Sequence, residues 1–158
     1  HITNLIIIIY ILILHMNKKY IPKQLDNSDK TKQKRELLKS IRLYKKHKYY
    51  TRKPLKSFKS KKSNHLKKVE NIYGIKTLLI NNLSKKTGCS KAILKKIVNK
   101  GMGAYYSSGS RPNQTAKSWG MARLASAITG GPASKVDFHL LKDCDKKKPA
   151  YKLSKRLN

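Results

Sequence analysis

The sequence predicts a mainly α-helical protein: a small module of about four short helices with a Gly/Ser-rich loop, flanked by extended or disordered basic arms. Three observations predict it. Between residues 66 and 128, apolar residues recur at helical spacing in segments closed by glycine. The stretches on either side are rich in lysine and too poor in apolar residues to bury a core. A chain of 158 residues leaves room for one domain plus tails.

Charge sets the functional class. The chain holds 38 Lys and Arg against 7 Asp and Glu, a net charge of +31. A compact protein so charged repels itself, which implies a polyanionic partner. Nucleic acid, an acidic protein lattice and an acidic membrane surface all meet that electrostatic requirement.

Residues 1–15, HITNLIIIIYILILH, precede Met16. The apolar run Leu5–Leu14 reaches about 15 Å as a helix, half of the about 30 Å that a bilayer core requires. It has no basic lead and no small-residue cleavage site, so it is a poor signal peptide. Ile, Asn, Tyr and Lys use A/T-rich codons, and with Met16 followed at once by lysine-rich sequence the segment reads as an upstream extension of the reading frame; a short hydrophobic anchor is the alternative.

Residues 16–65 read as a basic arm. One helix is expected within it, with Asp29 as N-cap, Leu37, Leu38, Ile41 and Tyr44 on one face, and Pro22 and Pro54 outside it. After Pro54 the chain is expected to be extended or disordered when unbound. Arg52, Lys53, Lys56, Lys59, Lys61 and Lys62, with Tyr49 and Tyr50 among them, form the candidate contact to nucleic acid or another acidic surface. Aromatic rings threaded through lysines suit stacking on bases, or burial in a protein groove.

Residues 66–141 form the expected helical domain. LKKVENIYG, IKTLLINNLSKKTG and CSKAILKKIVNKG each end on a glycine, Gly74, Gly88 and Gly101. Ser90 is the expected N-cap of the third, with Ile93, Leu94, Ile97 and Val98 inward and Lys91, Lys95 and Lys96 outward. A helix-turn-helix fits the TG turn, but a small bundle making its own core fits it better. The fourth helix begins at Thr115, carries Met121, Leu124, Ala125 and Ile128 on one face, and stops at Gly130-Gly131-Pro132. Gly120, Ala122, Ala125, Ser126 and Ala127 let another backbone approach closely. Residues 142–158 read as a basic tail.

No residue set points to catalysis, a metal or a cofactor. Residues 71–136 contain no carboxylate and no histidine, which removes paired-carboxylate acid–base chemistry from the distinctive segment. GMGAYYSSG lacks the third glycine of a dinucleotide fingerprint, because position 106 is Tyr. Cys89 and Cys144 have neither CxxC spacing nor a paired histidine; each reads as a small apolar residue in a reducing compartment. Their separation permits one long-range disulfide without predicting it.

What the loop SSGSRPNQT offers is anion-binding geometry. Ser108, Ser110, Arg111 and Asn113, backbone amides near Gly109 and a following helix N-terminus suit a phosphate or carboxylate. Lys117, Trp119 and Arg123 complete this candidate partner-binding set. Equally, Arg111 and Asn113 tie the loop to the rest of the protein. For Arg123, a bond to a carbonyl or to a carboxylate such as Asp137 outweighs a ligand contact, because a buried Arg needs partners.

The string KGMGAYYSSGSRPNQTAKSWGMARLASAITGGPASKVDFHLL, Lys100 to Leu141, resembles a small domain of lysine-rich, virion-type proteins of large double-stranded DNA viruses of algae and protists. YYTRKPLKSFKSKKSNH and LSKKTGCSKAILKKIVNKG look like the lysine-rich lead of the same proteins. Lys117 departs from the pattern, which has histidine between the residues matching Ala116 and Ser118. The resemblance implies a viral setting and a non-enzymatic structural role in the virion, as a minor capsid or internal lattice component. Its implied partners are capsid proteins, packaged nucleic acid, or both; sequence-independent nucleic-acid condensation is the alternative role.

Overall fold

In the computed structural model, the described residues are 18–158 together with Asn4 and Ile7. The expected extension or anchor at 1–15 otherwise lies outside them. Among the described residues there are eight α-helices and no strand, so the mainly α class holds. No helix among them is long and apolar enough to cross a membrane. The helices are α1 (Asn27–Tyr44), α2 (Asn64–Tyr73), α3 (Ile80–Thr87), α4 (Lys91–Ser107), α5 (Ala116–Ile128), α6 (Pro132–Val136), α7 (Phe138–Leu141) and α8 (Pro149–Lys155). The chain divides into two compact units, His1–Ser60 with Tyr106–Gln114, and Lys61–Tyr105 with Thr115–Asn158.

Of the extended and disordered alternatives for the basic arm after α1, the first unit shows the extended one, held in place by specific contacts. Its helix α1 starts one turn earlier than expected: Asp26 is the N-cap and accepts the Asp29 amide at 2.7 Å. Asp29, Gln33, Glu36 and Ser40 then fall on one face of α1 and are buried beside Leu37. Each of these polar groups takes a specific partner. Ser57 donates its amide (2.9 Å) and its hydroxyl (2.6 Å) to Asp29. The Gln33 amide donates to the Tyr20 carbonyl at 3.0 Å. Tyr50 Oη and the Lys53 amide donate to Glu36 at 2.8 and 3.0 Å, and Arg52 donates to Ser40 Oγ at 2.9 Å. Residues 50–57 therefore run antiparallel along α1, fastened by side chains rather than by a hydrophobic face.

The Gly/Ser loop closes this unit. Gly109, at φ 122°, packs so tightly on Tyr20 and Leu37 that a Cβ would lie 2.8 Å from Leu37 Cδ2. Asn113, at φ 61°, receives the Leu55 amide at 2.7 Å and donates to the Leu55 and Phe58 carbonyls, each at 3.2 Å. Leu55 is buried beneath this clamp. Ordered polar contacts thus hold the chain on both sides of Pro54, where sequence periodicity was silent.

In the second unit, Gly74 (φ 66°) and Gly88 (φ 71°) end α2 and α3 as expected. Ser90 caps α4, accepting the Ile93 amide at 3.2 Å. Gly101 does not end it: α4 continues to Ser107. At Gly101 a Cβ would sit 2.6 Å from Gly120 Cα, and at Gly120 one would sit 2.5 Å from the Val98 carbonyl oxygen. Backbone-to-backbone approach between α4 and α5, not helix termination, is what this glycine provides. The core joins Val69 and Tyr73 of α2, Leu83 of α3, Leu94, Ile97 and Val98 of α4, and Leu124, Ala125, Ala127 and Ile128 of α5.

Residues 142–158 are no free tail. Cys144 and Ala150 belong to the same core, and α8 packs against α5, α6 and α7. Cys89 and Cys144 form a disulfide across 55 residues, correcting their reading as separate thiols. Beside it the Asp145 amide donates to the Gly88 carbonyl at 2.9 Å.

Candidate polyanion-binding surface

Five of the seven carboxylates are engaged by hydrogen bonds within the protein, while Glu70 meets Lys76 at 3.9 Å on the surface and Asp143 is exposed. Asp26 caps α1; Asp29 and Glu36 hold residues 50–57; Asp145 accepts the Lys147 amide at 2.9 Å. The hydroxyl and amide of Ser57 hold the Asp29 carboxyl below its ordinary value. Burial pushes Glu36 up, but the Lys53 amide, the Tyr50 hydroxyl and the charges of Lys39 and Lys53 outweigh it, and the net shift is downward.

Asp137 is the deepest of them, its side chain 0% exposed. Arg123 Nε and Nη2 grip it bidentately at 2.8 and 2.9 Å, and Lys100 Nζ lies at 2.7 Å. Burial pushes this carboxyl up; hydrogen bonds from Arg123 and Lys100, with their charges, hold it below its ordinary value. Arg123 is thus a structural cation placed on the carboxylate that its sequence suggested as a partner.

With seven acids to 38 bases, no arrangement of these carboxylates neutralises the chain. Lys53, Lys56 and Lys59 are exposed on the first unit, as are Lys45, Lys46 and Lys48 around the end of α1. On the second unit Lys61, Lys62, Lys67, Lys68, Lys85, Lys86, Lys91, Lys95 and Lys96 are exposed. These ammonium groups sit on folded scaffolds, so binding a polyanion costs little backbone ordering.

The expected partner-binding set is broken up by its own bonds. Ser110 is buried; its hydroxyl accepts Arg52 Nη2 at 2.7 Å and donates to the Arg111 carbonyl at 2.8 Å. Asn113 is the clamp on Leu55 and Phe58. Ser108 and Arg111 are exposed. The N-terminus of α5 is occupied by a reciprocal pair, Ser118 N–H to Thr115 Oγ1 at 3.1 Å and Thr115 N–H to Ser118 Oγ at 2.9 Å. Within the first unit the loop is tied down through Ser110 and Asn113, and the N-terminus of α5, in the second unit, is capped by its own residues.

Lys117 and Trp119 belong to the second unit. Lys117 borders a shallow groove of about 280 Å3 lined by Ile80, Val98, Met102 and Met121, with Lys95 also at its edge. Its lining is mainly apolar, with Asn99 and the two lysines as its polar groups. Among the described residues no three His, Cys, Asp or Glu side chains are grouped to hold a metal ion.

The arm residues separate as well. Arg52 is buried on Ser40 and Ser110, a core cation rather than a surface contact. Tyr50 is turned inward to Glu36, with Lys39 Nζ 4.3 Å from its ring centre. Tyr49 is turned outward and is 72% exposed.

Among the described residues, fold and surface define a small, all-helical protein with a strongly basic exterior. Residues 17–147 match the model of a family of unknown function, DUF5824, and the chain belongs to that family. No curated protein and no solved structure matches it.

Proposed function

We propose that the chain is a non-enzymatic structural component of the particle of a large double-stranded DNA virus, a minor capsid or internal lattice protein held by its lysine surface. One observation carries the reading: five of the seven carboxylates (Asp26, Asp29, Glu36, Asp137 and Asp145) are engaged by caps, clamps and a buried ion pair, and 38 Lys and Arg leave a positive surface that needs an external counter-charge. The viral setting rests on the resemblance of Lys100–Leu141 to virion-type proteins. A second reading, sequence-independent nucleic-acid binding within the particle, is favoured by Tyr49, an aromatic ring exposed among lysines.

Crosslinking mass spectrometry on purified particles, with and without nuclease, tests both. Crosslinks from exposed lysines such as Lys117 and Lys135 to a capsid subunit that survive nuclease are expected for the lattice role. Release with the digested genome, with nucleotide adducts alone, would overturn it in favour of the second reading.

A further inference from the structure

Among the described residues Tyr49 is the most exposed large apolar side chain, and its surroundings explain how it is held there. Helix α1 ends in a tight turn: His47, at φ 57°, sends its amide to the Tyr44 carbonyl, and Lys48 sends its amide to the Leu43 carbonyl, both at 2.9 Å. This pairing is the double hydrogen bond of a left-handed helix stop. It places Lys45, Lys46 and Lys48, all exposed, around one fixed turn. The chain leaves the turn extended, so Tyr49 and Tyr50 face opposite ways.

Tyr50 goes in to Glu36. The Tyr49 ring instead rests edge-on against two others, with centroids 5.1 Å from Tyr106 and 6.1 Å from Tyr44. Tyr44 and Tyr106 themselves lie nearly parallel, 8° apart. All three rings and the lysine turn lie in the first unit. The ring therefore has a rigid support at its edge, while most of its surface meets solvent.

We propose that Tyr49, supported by Tyr44 and Tyr106 and directly preceded in the chain by the exposed turn of Lys45, Lys46 and Lys48, is a stacking site for an unpaired base of single-stranded nucleic acid. The proposal rests on the nucleic-acid reading above. Charge selects the occupant: three exposed lysines in the turn that leads into one exposed aromatic ring oppose an apolar protein surface and suit a chain that carries phosphates and flat bases together. A paired base in a duplex has no free face to offer, so the ring adds affinity only for single strands, while the lysines act on both.

The test compares the full chain with Tyr49→Ala and Tyr49→Phe, binding a fluorescent single-stranded oligonucleotide and its duplex at several salt concentrations. Y49A is expected to lose about fivefold or more in single-strand affinity with its salt slope kept, and to bind duplex like the parent. Y49F, which keeps the ring, is expected to retain single-strand binding. Circular dichroism controls for folding, and an exposed side chain is not expected to alter it. Equal single-strand binding by Y49A and parent overturns the stacking site alone. Absence of binding to either nucleic acid at low salt overturns the nucleic-acid reading with it.

Discussion

Replacing Cys89 and Cys144 together by alanine is expected to lower the stability of the second unit by about 4 kcal/mol, the chain-entropy value for a closed loop of this length. The disulfide spans 55 residues, so its removal frees a long segment of unfolded chain. The loss falls unevenly. Residues 142–158 contribute few apolar groups to the core, with Cys144 and Ala150 the buried ones, and carry a dense run of lysines that repel each other. Helix α8 should therefore exchange its amide hydrogens faster before the rest of the unit unfolds. Urea unfolding of the double variant, with hydrogen exchange by mass spectrometry, reads both effects. A stability change below about 1 kcal/mol, or uniform exchange, would show that packing alone holds the segment.

Asp137→Asn is the second large effect, expected to cost about 3 kcal/mol. The substitution keeps the shape and removes the charge, leaving Arg123, only 22% exposed, without its counter-ion. Lys100, 39% exposed, can turn to water, which places the cost at the lower end for a broken buried pair. The same site has a pH signature. Its folded pKa is depressed below the ordinary 3.8, so its stabilisation is fully present above that value and is lost as pH falls through the folded one. The parent should therefore lose stability in acid more steeply than D137N. Thermal unfolding from pH 7 down to about 3 measures this difference. Parallel acid limbs in the two proteins would contradict the assignment.

Legibility in the sequence followed the kind of force involved. Where an apolar stripe met a capping residue, as from Ser90 to Val98 or Thr115 to Ile128, the helix was plain. Gly101 misled because glycine serves two ends, stopping a helix and letting two backbones touch, and only Gly120 on a neighbouring helix distinguishes them. Residues 50–58 were opaque for a different reason. Their order comes from polar pairs with α1 and Asn113, and such pairs leave no hydrophobic period. A signal was present all the same. In a chain with seven acids, Asp29 and Glu36 stand seven residues apart on one face of a predicted helix, with Gln33 and Ser40 in step. Scarce carboxylates at helical spacing marked structural anchors. The cysteine pair carried no such mark, since spacing alone does not fix which thiols meet.

The candidate contact residues divide along the same line. Tyr49 and Tyr50 are adjacent and chemically alike, and composition cannot tell which faces water. The turn at His47 decides it by setting where the extended chain begins. Arg52 likewise differs from Lys53 in having Ser40 and Ser110 within reach of a guanidinium fork.

On the proposed function, a fixed positive surface, rather than an apolar dock, holds this protein to its partner. The affinity of the purified chain for a short DNA duplex, the simplest polyanion of known charge spacing, tests it most directly when followed across salt concentration. A steep linear fall of log affinity with log salt is expected, about a thousandfold or more between about 50 and 200 mM. A flat dependence, or no binding at the lowest salt, would contradict it.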